Sequence, residues 1–133
     1  MKKLIYILSL SFIFISCSEY NKILKSKDYE KKYEYAKKYY DEKKYSRTTT
    51  LLGDIVTLMK GTPRGEECLF LLGKSHYMNQ EYAAASQYFR TYYRNYPRGE
   101  FNEMARFYCG YGYYLDSPEA RLDQSTTYQA IDE

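Results

Sequence analysis

The chain has no tryptophan, a single histidine, three prolines and three cysteines in 133 residues. Each shortage removes a class of function. His76 with Cys68 and Cys109 does not make a zinc ligand set. No serine or cysteine sits in a nucleophile motif. Gly110-Tyr111-Gly112 lacks the further glycine and the lysine of a phosphate-binding loop and lies inside a helical pattern. The acidic pairs Asp41-Glu42 and Glu66-Glu67 read as first-turn or solvent-facing charge rather than as a general acid and base. No catalysis, no metal and no cofactor are therefore expected. Long apolar runs are also missing, with one exception at the N terminus.

That exception has the form of a signal. Met1-Lys2-Lys3 is basic, Leu4–Ser16 is apolar, and Phe14-Ile15-Ser16 leads into Cys17. A small residue before a cysteine is what a lipoprotein signal peptidase needs, and the thiol carries the diacylglycerol. Residues 1–16 are read as the signal and Cys17 as the lipidation site, followed by a lipid-anchored tether over 17–27. An ordinary secretory signal with an incidental cysteine and a retained anchor are the competing readings. The stretch is short for a membrane span. Removing Lys2 and Lys3 takes Lys+Arg from 20 to 18 against 17 acids, so the formal charge falls from +3 to +1. Such a balance gives no argument for nucleic acid. Cys68 and Cys109 remain in a compartment that permits a disulfide, but they fall in first helices of successive hairpins, and buried free thiols are expected.

The rest is organised around Glu66–Gly99. Cys68–Gly73 and Tyr77 form one apolar helix face. Asn79-Gln80-Glu81 is turn material. Tyr82, Ala85, Phe89, Tyr92 and Tyr96 form a second face before Pro97. The 34 residues of this unit match the period of a tetratricopeptide (TPR) helix hairpin. Gly73, Ala85, Phe89 and Pro97 fit the small, small, large and proline positions of that pattern. Gly73 and Ala85 are expected to face each other where the two helices cross. Residues 28–65 form a first such unit at an offset of 37. Tyr33 aligns with Phe70, Ala36 with Gly73, Tyr40 with Tyr77, Tyr45 with Tyr82, Thr48 with Ala85 and Leu52 with Phe89. Asp28 is the expected cap of its first helix, and Gly61–Gly65 the stop of its second. Residues 100–133 begin a third, incomplete unit, with Asn102 as its cap and Gly110 or Gly112 as its small residue. The predicted fold is all-α, a TPR-type solenoid of antiparallel helix hairpins. The competing reading is a pair of unrelated amphipathic hairpins.

Against the missing tryptophan stand 19 tyrosines. Some must pack the hairpins; others are candidates for a binding face, since a phenol offers apolar area with a polar end. In a stack of hairpins the first helices line the concave side. The repeat register selects Tyr33, Lys37 and Tyr40, then Phe70, Lys74 and Tyr77, then Phe107, Tyr111 and Tyr114. Lys37 over Lys74 inside an aromatic wall suits an extended peptide with an aromatic side chain and a carboxylate. A glycan suits tyrosines too. The same columns also suit an aromatic helix interface with lysines extending to solvent.

With these features in place, the chain resembles the BamD (YfiO) family of outer-membrane assembly lipoproteins. The resemblance rests on the lipobox, the tyrosine-rich first helix, Tyr88–Pro97, Ala105–Tyr111 and the approach Leu122–Thr127 to Ala130-Ile131. It implies a non-catalytic protein on the periplasmic face of the outer membrane, with about five repeats, of which this chain holds the first two and a half. The implied partners are a BamA-like β-barrel insertase with other assembly subunits, bound through later repeats, and unfolded outer-membrane proteins, received by early ones. A structural TPR scaffold of the cell envelope, serving division or envelope coordination, is the alternative.

Overall fold

The apolar rows of the sequence become helices in the computed structural model, which describes residues 19–119 and 122–133. Among these there are six helices and no strand: α1 Tyr29–Asp41, α2 Tyr45–Ile55, α3 Pro63–Met78, α4 Tyr82–Asn95, α5 Asn102–Asp116 and α6 Ser125–Asp132. A short helical segment over 19–24 precedes them. Each helix packs chiefly on the one before and the one after it. The fold is all-α. The signal expected over 1–16 and the lipidation site Cys17 lie outside the described residues.

Local chemistry sets the boundaries. Asp28 caps α1 as expected, its carboxylate accepting from the Lys31 amide at 3.0 Å. The turns α1–α2 and α3–α4 are tight and of one kind: Lys43 and Gln80, 37 apart, both take a left-handed backbone, with φ 58° and 64°. The break expected at Gly61–Gly65 is longer and lies earlier: α2 ends at Ile55 and α3 begins at Pro63, so residues 56–62 connect them and Arg64 and Gly65 are already helical. Thr62 accepts from the Gly65 amide at 3.0 Å, and Pro63 opens α3. Proline suits a first helical position because its missing N–H would have no helical partner there. Asn102 does not cap α5 with its side chain. It instead donates to the carbonyls of Tyr93 and Tyr96 at 3.3 and 2.9 Å, closing the end of α4.

Two apolar clusters fill the interior. The first gathers Tyr33, Ala36, Tyr39, Leu51, Leu52, Ile55 and Met59 with Cys68 and Leu72. Ile23, from the segment expected to be a polar tether, is buried in it. The second gathers Leu69, Phe70, Ala85, Phe89 and Tyr92 with Ala105, Cys109 and Tyr113. Helix α3 serves both, Cys68 and Leu72 on one side and Leu69 and Phe70 on the other, so it is apolar over most of its circumference. Small residues mark the crossings. A methyl on Gly73 would stand 3.1 Å from the Phe89 ring and 3.3 Å from Tyr88 Cβ, so Gly73 faces these rather than Ala85. Gly112 seats α5 on α4, where a methyl would lie 2.3 Å from Ser86 Oγ, while Gly110 faces Ala130 and Glu133. Cys68 and Cys109 are free and buried.

Candidate peptide-binding face

Eight of the nine residues selected from the sequence fall into three groups, and Lys37 stands apart, paired with Glu67. The first has gone into the core. Tyr33 is 2% exposed, with Lys37 and Arg64 over its ring at 5.5 Å each. Burial first, and the Glu67 carboxylate second, push its hydroxyl above the ordinary phenol range. Phe70 is stacked on Phe101 at 4.4 Å and also contacts Phe89 and Tyr92. Both rings are covered by residues at or just before the next first helix, so a side chain in solution cannot reach their faces.

The second group forms two tyrosine rungs. Tyr40 meets Tyr45 edge-on at 5.4 Å and 68°, and Tyr77 meets Tyr82 at 5.4 Å and 66°. The two rungs lie 37 residues apart in sequence with nearly the same geometry. Tyr77 also touches Tyr108 at 5.0 Å and Tyr111 at 6.5 Å. Lys74 lies 3.7 Å above the Tyr108 ring centroid and donates to its hydroxyl. Burial first, then the neighbouring phenols, raise the hydroxyls of Tyr40 and Tyr77, so both are neutral donors at neutral pH. Tyr108 is a neighbour of both rungs: it touches Tyr77 at 5.0 Å, and its phenol is among the groups that raise the Tyr40 hydroxyl. It was not among the residues selected from the sequence. The signal was there, since Tyr108 precedes Tyr111 by three and so shares its face.

The third group is open. Phe107 (61% exposed), Tyr111 (40%) and Tyr114 (65%) form a ladder, stacked at 5.6 and 5.9 Å with ring planes within 20°. They occupy the register positions that Phe70, Lys74 and Tyr77 hold one unit earlier.

The two lysines have different electrostatic surroundings. Lys37 pairs with Glu67 at 2.8 Å, and that ion pair holds the Glu67 carboxyl below its usual value. Lys74 has an aromatic ring and a hydroxyl as partners and, among the described residues, no carboxylate within ion-pair distance. Only one of the two charges is therefore available to an incoming anion. Beyond Phe101 the surface turns acidic: Glu66, Glu67 and Glu100 line a cavity of about 370 Å³ with Pro63. There Glu66 accepts from the Tyr92 hydroxyl at 2.5 Å and from the Glu100 amide at 2.9 Å. An extended ligand on this face would meet phenols and one ammonium at one end and carboxylates at the other.

Among the described residues no cluster of three metal-ligating side chains forms. No described helix is long and apolar enough to cross a membrane. No known family model matches the chain, and no curated protein matches it either.

Proposed function

We propose that the chain is a lipid-anchored, non-catalytic TPR-type subunit of an outer-membrane β-barrel assembly machinery. In this reading Cys17 carries the lipid and the protein works on the periplasmic face of the outer membrane. The tyrosine face receives unfolded barrel segments, and the partners are a BamA-like insertase and its other subunits. The observation that carries the reading is the tyrosine cluster. Tyr77, Tyr82, Tyr108 and Tyr111 join the second and third units through ring contacts, the rung Tyr40–Tyr45 repeats the geometry of Tyr77–Tyr82 in the first, and Lys74 adds one uncompensated ammonium. Extended peptides with aromatic side chains suit such a surface, because backbone groups find phenol hydroxyls and rings find rings. The repetition of both the rung and the left-handed turn at 37 residues supports a TPR-type stack over unrelated hairpins.

Crosslinking in intact envelopes, followed by identification of the partners, tests the assignment to barrel assembly; partners confined to division or cell-wall proteins would exclude it. Titration calorimetry tests the face itself. A peptide copying a final barrel strand, ending in Phe with a free carboxylate, is expected to bind in roughly the micromolar range. Tyr77→Ala weakens it almost independently of salt. Lys74→Glu weakens it in a salt-dependent way, as does amidating the carboxylate. Removing the pair together, Lys37→Gln with Glu67→Gln, leaves binding nearly unchanged, because the two charges already compensate each other.

A structural scaffold is the second reading. The burial of Tyr33 and Phe70 and the pairing of Lys37 favour it for those positions. It predicts that Tyr77→Ala and Lys74→Glu alter stability alone.

A further inference from the structure

The end of the molecule nearest Cys17 has an unusual balance of partnered and unpartnered charge. Three of its four acids are ion-paired, Glu19 with Lys38, Glu30 with Arg64 and Asp54 with Lys32, while Asp28 accepts only from the Lys31 amide and keeps its charge. Lys22, Lys25, Lys27 and Lys31 are exposed, and their ammonium groups have no carboxylate partner among the described residues. Lys22 lies on the 19–24 segment and Lys25 in the turn that closes it, its amide donating to the Asn21 carbonyl at 3.2 Å, while Ile23 and Leu24 turn into the core. Beside them, Lys27 lines a hollow with two exposed apolar side chains, Tyr29 (48%) and Leu58 (68%). Free ammonium groups around an exposed leucine and a tyrosine match the two layers of a bilayer surface, anionic headgroups outside and acyl carbon beneath.

Chain length supports the same occupant. Cys17 lies two residues before Glu19, so a lipid on its sulfur would stand no more than about 7 Å of chain from the start of the helical segment. Lys22, the first of the lysines, follows five residues after Cys17. We propose that this end, Lys22, Lys25, Lys27 and Lys31 with Tyr29 and Leu58, docks on the surface of a bilayer containing anionic phospholipid and fixes the orientation of the helix stack against the membrane. The proposal rests on the lipid anchor at Cys17 for its position and on the charge pattern for its chemistry.

Purified protein is first weighed intact to establish whether Cys17 bears lipid. Lipidated protein is then placed in nanodiscs of phosphatidylethanolamine with or without phosphatidylglycerol, and amide hydrogen exchange is followed. Exchange over 19–31 and 55–60 is expected to slow several-fold in the anionic discs only, and to recover at high salt. The exposed triple change Lys22→Glu, Lys25→Glu, Lys27→Glu should abolish the slowing while the melting temperature is kept. Equal exchange in both discs, or slowing that survives the triple change, overturns the proposal. If the protein carries no lipid, the anchor fails separately, and the same protein is sedimented with vesicles of the two compositions. Partitioning that favours the anionic vesicles by roughly fivefold per lysine supports the surface; equal partitioning overturns it.

Discussion

Gly65 and Gly73 are both small for the sake of a neighbour, but the neighbours differ in how far they can yield. A methyl on Gly65 would stand 2.0 Å from the Met59 carbonyl oxygen, which is backbone, and α3 could not start where it does. Gly65→Ala is expected to cost roughly 1–3 kcal/mol, read as a lower urea midpoint. Gly73 meets the edge of the Phe89 ring, which can shift by tenths of an ångström, so Gly73→Ala should cost clearly less than Gly65→Ala. The reverse order would remove the close approach of Gly65 to the Met59 carbonyl from the account. Ala85 is wholly buried, and Ala85→Leu should cost roughly 1–3 kcal/mol as well. The thiols offer a check of another kind. Burial pushes Cys68 up to about 12 and Cys109 up to about 11. In native protein at pH 8 each should alkylate at least about 100-fold more slowly than in urea, as peptide-resolved mass spectrometry would show. Comparable rates would place either cysteine outside the core.

At the scale of the helices, much was legible in the sequence and the exceptions have local causes. Tyrosine and leucine spacing marks α1, α2 and α4, and Asp28 marks the start of α1. The start of α3 is harder, because Thr62-Pro63-Arg64-Gly65 has the composition of a stop signal. The same residues cap and open a helix when the threonine hydroxyl turns toward the following amides. Thr62→Ala should therefore lower stability by about 1 kcal/mol, with hydrogen exchange rising first over residues 63–66. No change in either would show that the proline alone fixes the start. Asn102 is the complementary case. Its position suggests a cap for the helix it begins, yet its amide serves the carbonyls that end α4, a choice made by the fold of the 96–101 loop and invisible to spacing. The ladder Phe107–Tyr111–Tyr114 was legible by register. The hub Tyr108 and the Lys37–Glu67 pair were not, because each is defined by a partner on another helix.

For the whole molecule, charge sets the pH limits of stability. Lys37 holds the Glu67 carboxyl below its unfolded value. For Glu133, burial acts upward, and the Tyr93 hydroxyl and Arg90 outweigh it. A carboxyl lowered by folding stabilises the native state above its unfolded value, near 4.5, and loses that contribution as pH falls through its folded value. Raised phenols act at the opposite limit. Tyr33 and Tyr92 keep their protons longer when folded, so stability should decline once pH exceeds about 10, where unfolded phenols ionise. Urea midpoints are thus expected to be flat near neutrality and to fall on both sides. Lys37→Ala should shrink the acid-side fall; an unchanged acid limb in that variant would remove the ion pair from the account.

Serial packing has a mechanical meaning. Where each helix leans mainly on its sequence neighbours, a pull applied to the two ends loads the helix contacts one after another, as in a chain of clips, and few contacts bear the load together. Such a body should yield at modest force and in steps of one hairpin, about 37 residues of released length each. The two cores joined through α3 set the order: that helix lies in both, so the outer hairpins should open before the middle one and close after it.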